Sequence, residues 1–248
     1  MMMTTPARRV GLARVLSKRG LCSRSQAAQW VADGRVTVDG RVVRDPEYPI
    51  TGVQQQIAVQ GADAQQGEHV YLMLNKPRGL VTTTRDEQGR DTVYRCLAGA
   101  RLPWVAPVGR LDKASEGLLL FSNDTEWAAG VTHPERGPDK TYHVQVDAIP
   151  DAAMLEMLVQ GVEVEGEHLS AKSARLLRSG SRNAWLEIVL DEGRNRQIRR
   201  LLGAFNLGVL RLLRTAIGPV ALGALAKGEY RRLTPIETGL LGTPGANP

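Results

Sequence analysis

The chain has 248 residues, 42% hydrophobic and 23% charged, with a formal charge of +6. That length suits one large domain or a medium one with a small companion, and the basic excess favours a polyanion, nucleic acid first, over a small acidic molecule. Two distant cysteines, Cys22 and Cys96, and four scattered histidines form neither a disulfide framework nor a metal-ligand spacing. No apolar run follows Arg8 and Arg9, and none approaches the roughly 18 residues of a membrane span, so the expectation is a cytoplasmic protein with no membrane partner.

After a loose tail at 1–7, Leu12, Val15 and Leu16 share one face of a predicted helix that carries Arg14, Lys18 and Arg19 elsewhere and stops at Gly20. Ser23 is a good N-cap for a second helix over 24–33, with Ala27, Ala28 and Val31 on one side and Gly34 as its stop. Val36-Thr37-Val38, Asp39-Gly40 and Arg41-Val42-Val43 read as strand, type I′ turn and strand. Residues 1–62 hold nine basic and four acidic side chains, an excess of five that is nearly the whole net charge. A helix pair and hairpin so charged reads as an electrostatic grip on RNA, with Arg14, Lys18, Arg19, Arg24 and Arg35 as its contacts.

The segment Leu12-Ala13-Arg14-Val15-Leu16-Ser17-Lys18-Arg19-Gly20, with Cys22-Ser23-Arg24-Ser25-Gln26-Ala27 and Gly34-Arg35-Val36-Thr37-Val38-Asp39-Gly40, resembles the ribosomal protein S-four type RNA-binding module. On its own that implies binding to structured RNA and nothing more. A polar stretch at 63–68 reads as a linker to a second domain over 69–240, with 241–248 as a tail.

In the larger domain, 70–74 reads as a buried strand ending in Asn75-Lys76-Pro77-Arg78-Gly79, a turn with two exposed cations, and 80–84 as a further strand. An apolar run at 104–108 enters a polar loop holding Arg110 and Asp112, and a second run at 117–121 leaves it. A short helix around Trp127, a strand at 140–146, a helix with Met154, Leu155, Leu158 and Val159 on one face, and strands near 162–164, 174–177 and 185–190 follow. A helix opens at 192–200 with four arginines beside an apolar stripe of Ile198, Leu201, Leu202 and Phe205. Strands at 207–213 and 228–233 complete an α+β body without βαβ alternation.

There is no Walker-type or dinucleotide glycine loop, no GxSxG elbow and no ligand cluster, so the chemistry falls to one carboxylate. Asp112 can act as nucleophile or general base, and burial would require a cation beside it, which Arg199 or Arg196 could supply. Tyr142 is the aromatic best placed to stack on a base or move a proton.

Gly109-Arg110-Leu111-Asp112 with Glu116-Gly117-Leu118-Leu119-Leu120 resembles the central motif of pseudouridine synthases of the RsuA/RluB/RluE/RluF branch, which act on ribosomal RNA. Asn75-Lys76-Pro77-Arg78-Gly79, Lys140-Thr141-Tyr142, and Gly193-Arg194-Asn195-Arg196-Gln197-Ile198-Arg199-Arg200 with Leu212-Leu213-Arg214 are similar to its other motifs, in the same order. The resemblance spans nearly the whole chain. It implies a small N-terminal α/β RNA-binding domain followed by a mixed, mainly antiparallel-sheet catalytic domain. It further implies isomerisation of uridine to pseudouridine in ribosomal RNA or an assembly intermediate of a ribosomal subunit, the large one favoured, by a monomer using no cofactor and no metal. Asp112 would be the nucleophile, Arg199 its ionic partner, and Tyr142 the stacking and proton-moving group. Leu212 would line the pocket, Arg110 would fill the gap left by a flipped nucleotide, and Lys76 and Arg196 would touch RNA. The competing class is a non-catalytic ribosome-assembly factor on the same fold. Retention of Asp112, Tyr142 and Arg199 together favours the enzyme, and the N-terminal module disfavours transfer RNA as substrate.

Overall fold

A computed structural model describes residues 10–51, 55–61, 68–84, 86, 88–242 of the chain. The expected tail at 1–7, all but Glu68 of the expected linker at 63–68, and residues 243–248 of the expected tail at 241–248 lie outside the described residues. The chain divides into two compact units. One comprises residues 1–70 with 101–106 and 122–125, and the other comprises 71–100, 107–121 and 126–248. No helix among the described residues is long and apolar enough to cross a membrane.

In the first unit, β1 (Val10–Gly11) runs into α1 (Leu12–Lys18), followed by α2 (Arg24–Ala32), β2 (Val36–Val38), β3 (Arg41–Val43), β4 (Pro49–Ile50) and β5 (Ile57–Val59). The Ser23 side chain accepts a bond from the Gln26 amide at 3.1 Å, capping α2 as its sequence requires. Asp39 and Gly40 both have positive φ, 50° and 78°, the signature of the type I′ turn. The β3-β2-β5 sheet packs Val36, Val38, Ile57 and Val59 against Leu12, Leu16, Ala27 and Val31. Arg14, Lys18, Arg24 and Arg41 are exposed around that core, Arg19 and Arg35 are half-buried, and the Arg35 guanidinium lies 5.2 Å from the Trp30 ring centre. The small apolar interior thus forces the charge outward.

The second unit contains β6 (Tyr71–Lys76), a 3-10 turn at Val93–Leu97, β7 (Ala106–Val108, shared with the first unit at its start), β8 (Glu116–Ser122), α3 (Thr125–Val131), β9 (Lys140–Val146) and α4 (Ala152–Gln160). It continues with β10 (Val162–Val164), β11 (Glu167–Leu169), β12 (Ser173–Ser179), β13 (Ala184–Leu190), α5 (Gln197–Ala204), β14 (Val209–Ile217), β15 (Val220–Ala221), β16 (Tyr230–Arg232) and α6 (Pro235–Gly242). The main sheet runs β12-β13-β9-β14-β8-β6-β16, with β15 added on β14 and β7 on β8. β12-β13, β13-β9, β9-β14, β14-β15 and β6-β16 pair antiparallel, and β14 meets β8 in parallel. The architecture is mixed α+β with a mainly antiparallel sheet.

Strict alternation along β13 puts Ala184, Leu186, Ile188 and Leu190 on the face covered by Leu158 of α4 and Ile198, Leu201 and Leu202 of α5. A second cluster joins Met73, Leu118, Leu120, Trp127, Leu233 and Leu241. Two sequence expectations change here, and one helix appears that was not expected. Val159 is 41% exposed instead of sharing the buried face of Leu158. Residues 80–84 form no strand, and only Val81 makes a bridge, to Thr92. Helix α6, unmarked by apolar periodicity, seats Leu241 in the second cluster.

Gly117 fixes the parallel seam. Its φ is +100°, and a Cβ there would lie 2.3 Å from the Arg214 carbonyl oxygen of β14 and 2.9 Å from its nitrogen. Two of the three nearest atoms are β14 backbone, which cannot give way as a side chain can. Gly117→Ala is therefore expected to destabilise the protein by about 3 kcal/mol, read as a lower denaturation midpoint with an unchanged slope.

Candidate active site

The loop at 109–115 joins β7 to β8 and is clamped from both sides. The Thr82 hydroxyl donates to the Leu111 carbonyl at 2.7 Å and accepts from the Leu111 amide at 3.3 Å. Gly79 donates its amide to the Lys113 carbonyl at 2.7 Å, and Ser115 donates to the Asp112 carbonyl at 3.0 Å. Beneath lies Lys76, whose ammonium donates to the carbonyls of Ser115 (2.8 Å), Asp112 (3.1 Å) and Pro77 (3.2 Å). Lys76 is 0% exposed. The expectation of an exposed, RNA-touching Lys76 is thereby corrected, because all three of its donors are spent on backbone inside the protein. Burial pushes its ammonium down to about 8, with the charge of Asp112 pulling the other way.

Held this way, Asp112 presents a carboxylate about one-third exposed to a cleft of about 410 Å³. The cleft is also lined by Arg110, Tyr142, Leu212, Arg196 and Arg214. Tyr142 sits on β9 and Leu212 on β14, and β14 lies between β9 and β8, so three adjacent strands bring these groups to one place. In the described structure Asp112 pairs with Arg196 at 3.7 Å. The expected partner, Arg199, instead donates to the Val209 carbonyl at 3.4 Å and is not among the residues lining the cleft. Burial and the Arg196 charge lower the Arg199 guanidinium, and the Asp112 charge partly restores it, so its influence on Asp112 is at longer range.

Arg196 reaches Asp112 because it caps α5 in the left-handed region, φ 49° and ψ 31°. That conformation is uncommon for a side chain of its size and is held by its neighbours. Gln197, 2% exposed, is the lock: it donates to Glu192 (2.6 Å) and to the Ser170 carbonyl (3.2 Å), and it accepts from the Arg194 amide (3.1 Å). On the other side of the loop, Glu116 is buried and paired with Arg211 at 3.1 Å and with Lys227. Burial would raise its carboxyl, but the bonds from these two cations outweigh it and hold it below the usual range. A structural ion cluster therefore anchors the first residue of β8, four positions after Asp112.

Five cations line the cleft (Arg110, Lys140, Arg194, Arg196 and Arg214) against two carboxylates, Asp112 and Glu192. Asp112 pairs with Arg196 and Glu192 with Arg194, leaving a positive surplus that suits a nucleotide chain. Lys140 and Arg214 stand within the family motifs, and nothing in the sequence alone marks them as site residues. The alternation that puts Tyr142 and Leu212 on the cleft face places them there too. Arg14, Lys18, Arg19, Arg24 and Arg35 belong to the first unit.

The family model for RNA pseudouridylate synthase matches residues 70–204, and that for the S4 domain matches residues 10–57. The chain belongs to the RNA pseudouridine synthase family. An uncharacterized RNA pseudouridine synthase of Rickettsia bellii is 38% identical over 224 residues, covering 90% of this chain and 96% of that protein. The ribosomal large subunit pseudouridine synthase B of Bacillus subtilis is 35% identical over 229 residues, covering 91% and 93% respectively. A crystal structure of a pseudouridylate synthase superimposes with a TM-score of 0.66 at 28% identity, covering 94% of this chain and 99% of that one. The pseudouridine synthase family model thus ends inside α5, covering Asp112, Tyr142, Arg196 and Arg199 but not Leu212 or Arg214. Its S4 domain ends within the last strand of the first unit's small sheet.

Proposed function

We propose that this pseudouridine synthase isomerises a uridine of ribosomal RNA of the large subunit, with Asp112 as nucleophile. The carrying observation is Asp112 itself, a carboxylate held on a triply clamped loop and open to a cationic cleft that Tyr142 also lines. The carboxylate attacks the ribose anomeric carbon or carbon 6 of uracil, and the bond between N1 and C1′ breaks with its electron pair left on the uracil. The ring turns, C5 forms the new bond to C1′ as the carboxylate departs, the C5 proton is lost and N1 takes up a proton. Atoms and electrons balance without a cofactor. Tyr142 stacks on the ring and assists loss of the C5 proton. Arg196 pairs with Asp112 at 3.7 Å, with Arg199 adding positive potential behind it. Arg110 occupies the gap left by the flipped nucleotide, offsetting part of the unstacking cost.

The large-subunit assignment draws on the likeness to the Bacillus subtilis protein named above. It is tested by mapping pseudouridines in ribosomal RNA from cells with and without the gene. One large-subunit position should lose its pseudouridine. A loss confined to small-subunit or transfer RNA overturns the assignment.

The first unit supplies the electrostatic grip through Arg14, Lys18 and Arg24, which are exposed. Replacing all three with Gln should leave the core intact and reduce the slope of log affinity against log salt by about 2 to 3. RNA binding measured from low to moderate salt checks this, and an unchanged slope removes these residues from the interface.

A further inference from the structure

Four buried side-chain atoms have no hydrogen-bond partner among the described residues: Asn75 Oδ1, Arg199 Nε, Arg200 Nε and Arg214 Nη2. Only Arg214 belongs to a residue lining the cleft. Its placement is built in detail. Arg214 is 5% exposed and lies beside Tyr142 in the β14–β9 register, so both side chains occupy the cleft face of the sheet. A register shift follows immediately, between Arg214 and Ala216, as bulges beside active sites do to aim a side chain. Across the parallel seam, Gly117 lets the strands approach, and Arg214 Nε donates to the Leu118 carbonyl at 2.7 Å. The guanidinium is therefore fixed to backbone through Nε, while Nη2 beside it has no partner among the described residues. Buried donors left this way call for a ligand acceptor.

The surroundings narrow the ligand. Neither cleft carboxylate pairs with Arg214, since Asp112 is held by Arg196 and Glu192 by Arg194. Lys140 lies two residues before Tyr142 on the same strand, hence on the same face, and adds a second cation. Burial and the charge of Arg214 both push its ammonium down. The acceptor must be neutral or anionic, planar enough to lie against Tyr142, and brought in by the substrate.

We propose that Arg214 holds the uracil ring by its carbonyl edge throughout the rearrangement, donating from Nη2 to whichever of O2 and O4 faces the cleft floor. This rests on the uridine-isomerase reading above. The geometry of uracil makes one fixed donor sufficient. A half-turn about the axis through N3 and C6 exchanges N1 with C5 and, with them, O2 with O4. A donor that meets one carbonyl before the turn meets the other after it. The electron pair left when N1–C1′ breaks is delocalised onto those same oxygens, so the bond strengthens when the ring is detached and would otherwise diffuse away.

The test is a cycle between protein and substrate atoms. The RNA fragment carrying the mapped target is prepared with uridine, 2-thiouridine or 4-thiouridine at that position, sulfur being the poorer acceptor. Wild type, Arg214→Met and Arg214→Lys are compared, with unfolding curves confirming that each variant is folded. Arg214→Met should lower kcat by about 10²-fold with KM little changed. At least one thio substitution should slow the wild type by about tenfold and cost the Met variant almost nothing. Arg214→Lys supplies the same cycle if the Met variant does not fold. Equal thio penalties in wild type and variant, or a folded variant with wild-type kcat, overturn the proposal. Wild-type failure on the unmodified fragment instead overturns the uridine reading, and this inference with it.

Discussion

Lys76→Met is expected to lower kcat by at least about 10²-fold and stability by about 2–4 kcal/mol, while RNA affinity changes little. The methionine fills the same volume but strands the carbonyls of Pro77, Asp112 and Ser115, which the ammonium satisfies. Relief of a buried charge offsets part of the cost. Because two of the three carbonyls belong to the loop that carries Asp112, loss of the lysine shifts the carboxylate proposed as nucleophile. The pH dependence separates this from simple loss of packing. The folded lysine titrates at about 8, below its unfolded value of roughly 10.4. Between those values the unfolded chain binds more protons, so this group's contribution to stability rises with pH. The stability gap between wild type and Lys76→Met should widen as pH rises above 8. A gap that is flat from pH 7 to 10 contradicts the burial of a charged lysine.

Asp112→Asn should act on chemistry alone. The side chain is about one-third exposed and its ion pair with Arg196 is 3.7 Å long, so its contribution to folding is small. The amide keeps the shape and loses the carboxylate oxygen proposed to attack. Pseudouridine formation is expected to fall by at least about 10³-fold, with the melting temperature and RNA affinity near wild type. The Arg196 side chain then loses its counter-charge, so RNA binding should strengthen slightly if it changes at all.

Most of the frame was legible because it rests on local rules. Ser23, the Asp39-Gly40 turn, the alternation of 185–190 and the Gly161 stop each act within a few residues, and each took the form its chemistry dictates. What escaped depends on contacts across the sequence. Lys76 looks like an exposed turn cation until the loop at 109–115, more than thirty residues later, wraps its carbonyls around it. Arg196 and Arg199 both precede or enter α5, and which one meets Asp112 depends on a left-handed backbone at Arg196 that no periodicity encodes. Arg214 stands in the sequence only as the last residue of Leu212-Leu213-Arg214, since its place in the cleft follows from the strand between β9 and β8 being β14. Helix α6 was a miss that sequence could have avoided. Thr234-Pro235-Ile236-Glu237 is a capping box: the Thr234 hydroxyl accepts from the Glu237 amide at 3.2 Å, and the Glu237 carboxylate accepts from the Thr234 amide at 2.8 Å.

The central claim is that Asp112 is the nucleophile. Single-turnover release of tritium from RNA labelled at C5 of uridine tests it most directly, comparing wild type with Asp112→Asn at RNA concentrations where both are bound. The wild type should release one tritium per target uridine. The variant should bind the same RNA and release none on that timescale. Release by a folded Asp112→Asn protein at a rate near that of the wild type would contradict the account.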